Sequence, residues 1–80
     1  MYQHIFIDNK KITVISAKRK KNAADVFVIR TDVRGQLNSL LIGKEYTVAD
    51  ADGDIFNALL TEWYSTPRLE TACFKIIGKE

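Results

Sequence analysis

The stretch Asp50-Ala51-Asp52-Gly53-Asp54-Ile55-Phe56-Asn57-Ala58-Leu59-Leu60-Thr61-Glu62-Trp63-Tyr64-Ser65-Thr66-Pro67 decides the fold. Ile55, Phe56, Leu59, Leu60 and Trp63 recur at i, i+1, i+4, i+5 and i+8, the spacing of one broad apolar helix stripe. Thr47-Val48-Ala49-Asp50, just before it, has the layout of a capping box with Asp in place of the usual Glu or Gln. Asp50, Asp52 and Asp54 would then lie at the positive end of the helix dipole, and Pro67 would stop the helix. The spacing therefore predicts a helix between these limits.

The flanking segments read as strands. Residues 2–7 and 11–16 are rich in β-branched and aromatic side chains, with a tight turn at Asp8-Asn9-Lys10. Residues 17–24 are polar and basic and predict an exposed loop. Residues 25–31 carry the apolar run Val26-Phe27-Val28-Ile29 and predict a central strand. Residues 36–42 fit either a helix turn or a strand, and the hairpin logic after Gly35 favours a strand. Residues 69–77 predict a last strand, with Gly78-Lys79-Glu80 fraying beyond it. The expected fold is a single α+β domain over residues 1–80. It would be an antiparallel sheet of four to five strands with one helix on one face, in the order β-β-β-β-α-β.

Composition narrows the function classes. The chain has 80 residues, 46% hydrophobic and 28% charged, which is the range of an ordinary soluble domain. That length excludes large enzyme architectures such as the eight-stranded α/β barrel. No apolar run approaches the ~20 residues a membrane helix needs. One cysteine, Cys73, and one histidine, His4, leave no disulfide, no multi-cysteine zinc site and no histidine pair. Cys73 lies in an apolar strand and reads as an inert core thiol; His4 reads as a half-buried filler on its strand. A Cys/His nucleophile would need these two on adjacent strands. The start of the chain lacks a basic leader before an apolar stretch, so the cytoplasm is the expected compartment. Asp50 to Asp54 fails as a calcium loop in either register, because Val48 or Thr61 falls where a carboxylate must be. No cofactor, metal ion or catalytic group is expected.

Charge is uneven. Residues 1–35 carry eight cations against three acids, whereas residues 36–80 carry four against seven. The sharpest feature is Lys18-Arg19-Lys20-Lys21, four consecutive cations able to neutralise phosphates. Its bland alternative is a solvated loop guarding a sheet edge. Arg30 and Arg34 would widen the footprint if they lie nearby. Trp63 reads as core, and Tyr64, off the stripe, as the exposed aromatic. The candidate contact residues are thus Lys18, Arg19, Lys20, Lys21, Arg30, Arg34 and Tyr64.

In size, strand-strand-strand-helix-strand order and lack of catalytic signatures, the chain resembles small accessory proteins of phages and prophages, including some anti-CRISPR proteins. Over residues 11–64 the order is also similar to the sheet-plus-helix DNA-binding arm of phage-type integrases. The first resemblance implies a non-enzymatic protein that binds, and inhibits or modulates, a host protein or nucleoprotein complex. The alternative is a nucleic-acid-binding module using Lys18 to Lys21. Homodimerisation through an exposed sheet edge is a further expectation.

Overall fold

The computed structural model describes residues 1–79, and these form seven β-strands and no helix. In chain order they are β1 (Gln3–Ile7), β2 (Lys10–Val14), β3 (Ser16–Lys20), β4 (Ala23–Thr31), β5 (Glu45–Ala49), β6 (Ile55–Ser65) and β7 (Glu70–Lys79). The α+β expectation is therefore wrong: the protein is all-β. With no helix among the described residues, none is long and apolar enough to cross a membrane. All pairings are antiparallel, in the order β2-β1-β5-β6-β7-β4-β3. The two edge strands, β2 and β3, are separated in sequence by Ile15 alone. A sheet whose two edges are joined by one residue must curl round, and the result is a half-barrel.

The stretch read as a helix is β6, and its spacing has a specific cause. Phe56, Ala58 and Leu60 are fully buried and alternate with Asn57 and Leu59, the period of a strand. A register shift between Leu60 and Glu62 then inserts Thr61 as an extra residue. The bulge returns Trp63 to the inner face three positions after Leu60. Apolar residues on both faces of the strand, joined by a bulge, thus reproduce the i, i+4, i+8 pattern. The three aspartates form a hairpin loop instead of a helix start. The Asp50 carboxylate accepts the amides of Asp52 and Asp54, and Gly53 turns the chain at φ 91°.

Other expectations change. Residues 17–20, placed in a loop, belong to the edge strand β3 (Ser16–Lys20), and Thr47, Val48 and Ala49, read as part of a capping box, belong to β5 (Glu45–Ala49). Residues 36–42, favoured as a strand, form turns in which Leu37 is fully buried and Leu40 partly so, closing one end of the half-barrel. β1, β2, β4 and β7 lie within two residues of where the sequence places them. The hairpin at Asp8-Asn9 takes φ 50° and 66°, the left-handed pair that a two-residue turn between twisted strands requires. Fraying was expected at Gly78, Lys79 and Glu80. β7 runs through Gly78 to Lys79, and Glu80 lies outside the described residues.

Inside the curl, Phe27 and Phe56 meet edge to face at 5.1 Å, and Tyr46 meets Phe74 at 6.4 Å. Where β2 meets the opposite edge, side chains complete the missing ladder. The Gln36 amide oxygen accepts from Thr13 N–H at 2.8 Å and its amide nitrogen donates to Thr13 C=O at 2.6 Å. The buried Thr31 hydroxyl donates to the same carbonyl at 2.9 Å and accepts from Val33 N–H at 3.0 Å. One glutamine side chain therefore pairs with β2 as a peptide unit would, and the buried backbone groups there are satisfied.

Candidate functional site

Strand alternation sorts the basic run. On β3, Lys18 pairs with Val28 on the outer face, while Arg19 pairs with Phe27 on the inner face. The Arg19 guanidinium lies over the buried Phe56 ring at 5.6 Å and covers an open end of the core. Besides Arg19, the four cations Lys18, Lys20, Lys21 and Arg30 line a shallow depression of about 350 Å³ over Val28. None of these four cations has a carboxylate within ion-pair distance among the described residues.

Arg34 does not belong to this group. Its guanidinium donates to Ser65 Oγ and to Thr66 C=O, each at 2.6 Å, and stands 3.6 Å from Glu70 Oε2. It ties the turn after β4 to the turn between β6 and β7. Glu70 is a buried carboxylate on the inner face; its other oxygen and the indole nitrogen of Trp63 have no hydrogen-bond partner.

The outer face continues from β3 across β4 and β7 to β6. One cross-strand row reads Ser16, Arg30, Thr71, Tyr64, and the next reads Lys18, Val28, Cys73, Glu62. Tyr64, the exposed aromatic expected from sequence, thus shares the face with the cations and is 46% exposed. Cys73 is half-buried on this outer face, not in the core as expected. Burial pushes its thiol above the ordinary value and Glu62 adds to that, while Lys20 and Arg30 pull it back. Glu62 is the one acid in these two rows. Sequence reasoning missed Val28 and Thr71, short side chains that lie between the charged ones and are nearly fully covered.

Other candidates separate. His4 is exposed on β1 with its ring nitrogen Nδ1 3.2 Å from Thr13 Oγ1, and β5 and β6 stand between β1 and β7, so His4 and Cys73 do not meet. No group of three or more His, Cys, Asp or Glu residues is placed to hold a metal ion among the described residues. A second depression, of about 470 Å³, lies on the far side of the sheet between Phe6, Ala49 and Ile55, cross-strand neighbours on β1, β5 and β6. Phe6 and Ile55 are 44% and 46% exposed. The helix on which the resemblances to phage proteins and integrase arms turned is absent, so neither transfers a residue to these faces. No family model matches the chain, and neither a similar curated protein nor a similar solved structure was found.

Proposed function

We propose that the protein is a non-enzymatic interaction module of the cytoplasm that engages a nucleoprotein complex, docking the outer face of β3 and β4 on nucleic-acid phosphates. The observation that carries this reading is the gathering of Lys18, Lys20, Lys21 and Arg30 around one apolar floor with no acidic partner. Unpaired cations on a shared face can neutralise phosphates and so release the counterions condensed on the nucleic acid. With four such groups, log affinity for a single strand falls with log salt at a slope of roughly −3. The test is fluorescence anisotropy of a labelled oligonucleotide across a salt series. The variant carries Lys18→Ala, Lys20→Ala and Lys21→Ala together. The expected result is a slope shallower by about 2. An unchanged slope, or no binding at about 50 mM salt, overturns the reading.

A second reading is supported by a separate observation. The exposed Phe6 and Ile55 around their depression are suited to a protein surface. A partner retained at high salt after nuclease treatment, and lost on Phe6→Ser, favours protein contact as the main role.

A further inference from the structure

We infer that the nucleic acid this face takes is a single strand, laid across the sheet with one base stacked on Tyr64 and phosphates on Arg30, Lys18 and Lys20. This rests on the docking proposed above and names its ligand more closely. Three features of the face carry it. First, Tyr64 and Arg30 share one cross-strand row with only Thr71 between them. Two strand steps put their backbones about 10 Å apart. A ring beside a line of cations is the arrangement that holds a single strand: the ring takes a base face and the cations follow the backbone.

Second, the residues between ring and cations are short: Thr71 in one row, Val28 and Cys73 in the next. Val28 and Thr71 are 5% and 3% exposed, so neighbouring side chains close over them and a strand rests on those neighbours. Bases splayed from a single strand can lie on such a surface, whereas stacked and paired bases cannot present their faces. Third, among the described residues no long arm carries these cations away from the sheet toward a duplex groove. β3 and β4 are joined by a two-residue turn, Lys21-Asn22, and the cations lie along the strands instead of on an extended arm. Reading a duplex by direct contact needs a helix or ribbon set into the major groove. Arg19 pairs with Phe27 on the inner face and its guanidinium lies over Phe56, so the phosphate path is assigned to Arg30, Lys18 and Lys20.

The test compares a labelled 12-nucleotide single strand with a duplex of the same length (a probe of roughly the single-strand site size of one small β-barrel). Wild type, Tyr64→Ala, Tyr64→Phe and the triple lysine variant are titrated at one low salt concentration. Tyr64→Ala is expected to weaken single-strand binding about tenfold, within the range of a lost base stack, and Tyr64→Phe to keep it. Neither change moves the weaker duplex binding. Alkylation of Cys73 by iodoacetamide, whose thiol lies between ring and cations, slows when the single strand is added. If Tyr64→Ala leaves single-strand affinity unchanged while the triple lysine variant still loses it, the stacking inference is overturned and the phosphate-docking reading stands. If duplex binds as tightly as single strand, the inference is likewise overturned. If neither probe binds wild type, both fall together. Tyr64 is exposed, so an unaltered far-ultraviolet circular dichroism spectrum serves as the folding control.

Discussion

Arg30 and Arg34 lie four residues apart at the end of one strand and do opposite things. Arg34 makes two hydrogen bonds and faces a buried carboxylate, so its charge is committed within the molecule. Arg30 lies among lysines on an open face with no acid beside it. A partner can use only the second kind of cation, because the first would have to leave Glu70 unpaired in the interior. Arg19 stands between the two: its guanidinium lies over the buried Phe56 ring, yet it also lines the depression with Lys18 and Lys20. Net charge counts all of them alike; the sheet's two faces do not.

If that division holds, the largest effect falls on the committed side. Arg34→Ala removes both hydrogen bonds and leaves Glu70 without its cation. A loss of roughly 2–3 kcal/mol in urea unfolding is expected, below the figure for a fully buried pair because Arg34 is half exposed to screening solvent. Gln36→Leu comes next. It orphans the Thr13 amide at the seam of the curl, while the Thr31 hydroxyl still serves the carbonyl. About 1–2 kcal/mol should be lost, with hydrogen exchange speeding first in β2. Arg30→Ala should change stability by no more than about 0.5 kcal/mol, as expected of a surface position without partners.

The smallest effect concerns Tyr2. Its hydroxyl donates to the Asp32 carboxylate, and that bond, then the carboxylate's charge, raise the phenol above its ordinary 10.0. A raised value means the folded state holds the neutral phenol more firmly than the unfolded state. The contribution is complete below pH 10 and disappears as pH rises through the folded value. In an absorbance titration of tyrosinate, Asp32→Asn should move one transition to lower pH, with a small loss of stability at neutral pH.

The sequence made the strands with clear β chemistry legible. Val26 to Ile29 could only be buried, and Asp8-Asn9 could only turn. It concealed β6, because Leu60, Thr61 and Trp63 take helical spacing from a bulge that depends on pairing with Cys73 and Phe74 of β7. Asp52-Gly53 is a common hairpin signal that the helix reading leaves unused. It concealed β3 because four cations read as solvent-facing, whereas an edge strand tolerates charge and gains protection from it. Once residues 16–20 are a strand, alternation puts Lys18 and Arg19 on opposite faces, while the register shift after Arg19 leaves Lys20 to be placed by the structure. Lys18, Lys20, Lys21, Arg30 and Tyr64 of the candidate face were named from sequence as contact residues; Ser16, Val28, Glu62, Thr71 and Cys73 were not. The grouping of the cations with Tyr64, and the withdrawal of Arg34 from it, required the curl of the sheet.

The most direct measurement sets the two arginines side by side in one binding assay. The salt slope for a labelled single strand is recorded for wild type, Arg30→Ala and Arg34→Ala. Arg30→Ala should make the slope shallower by about 0.7 and leave the fold as stable as before, whereas Arg34→Ala should lower stability and leave the slope unchanged. Equal slopes for wild type and Arg30→Ala, or a shallower slope for Arg34→Ala alone, would contradict the division between committed and available charge.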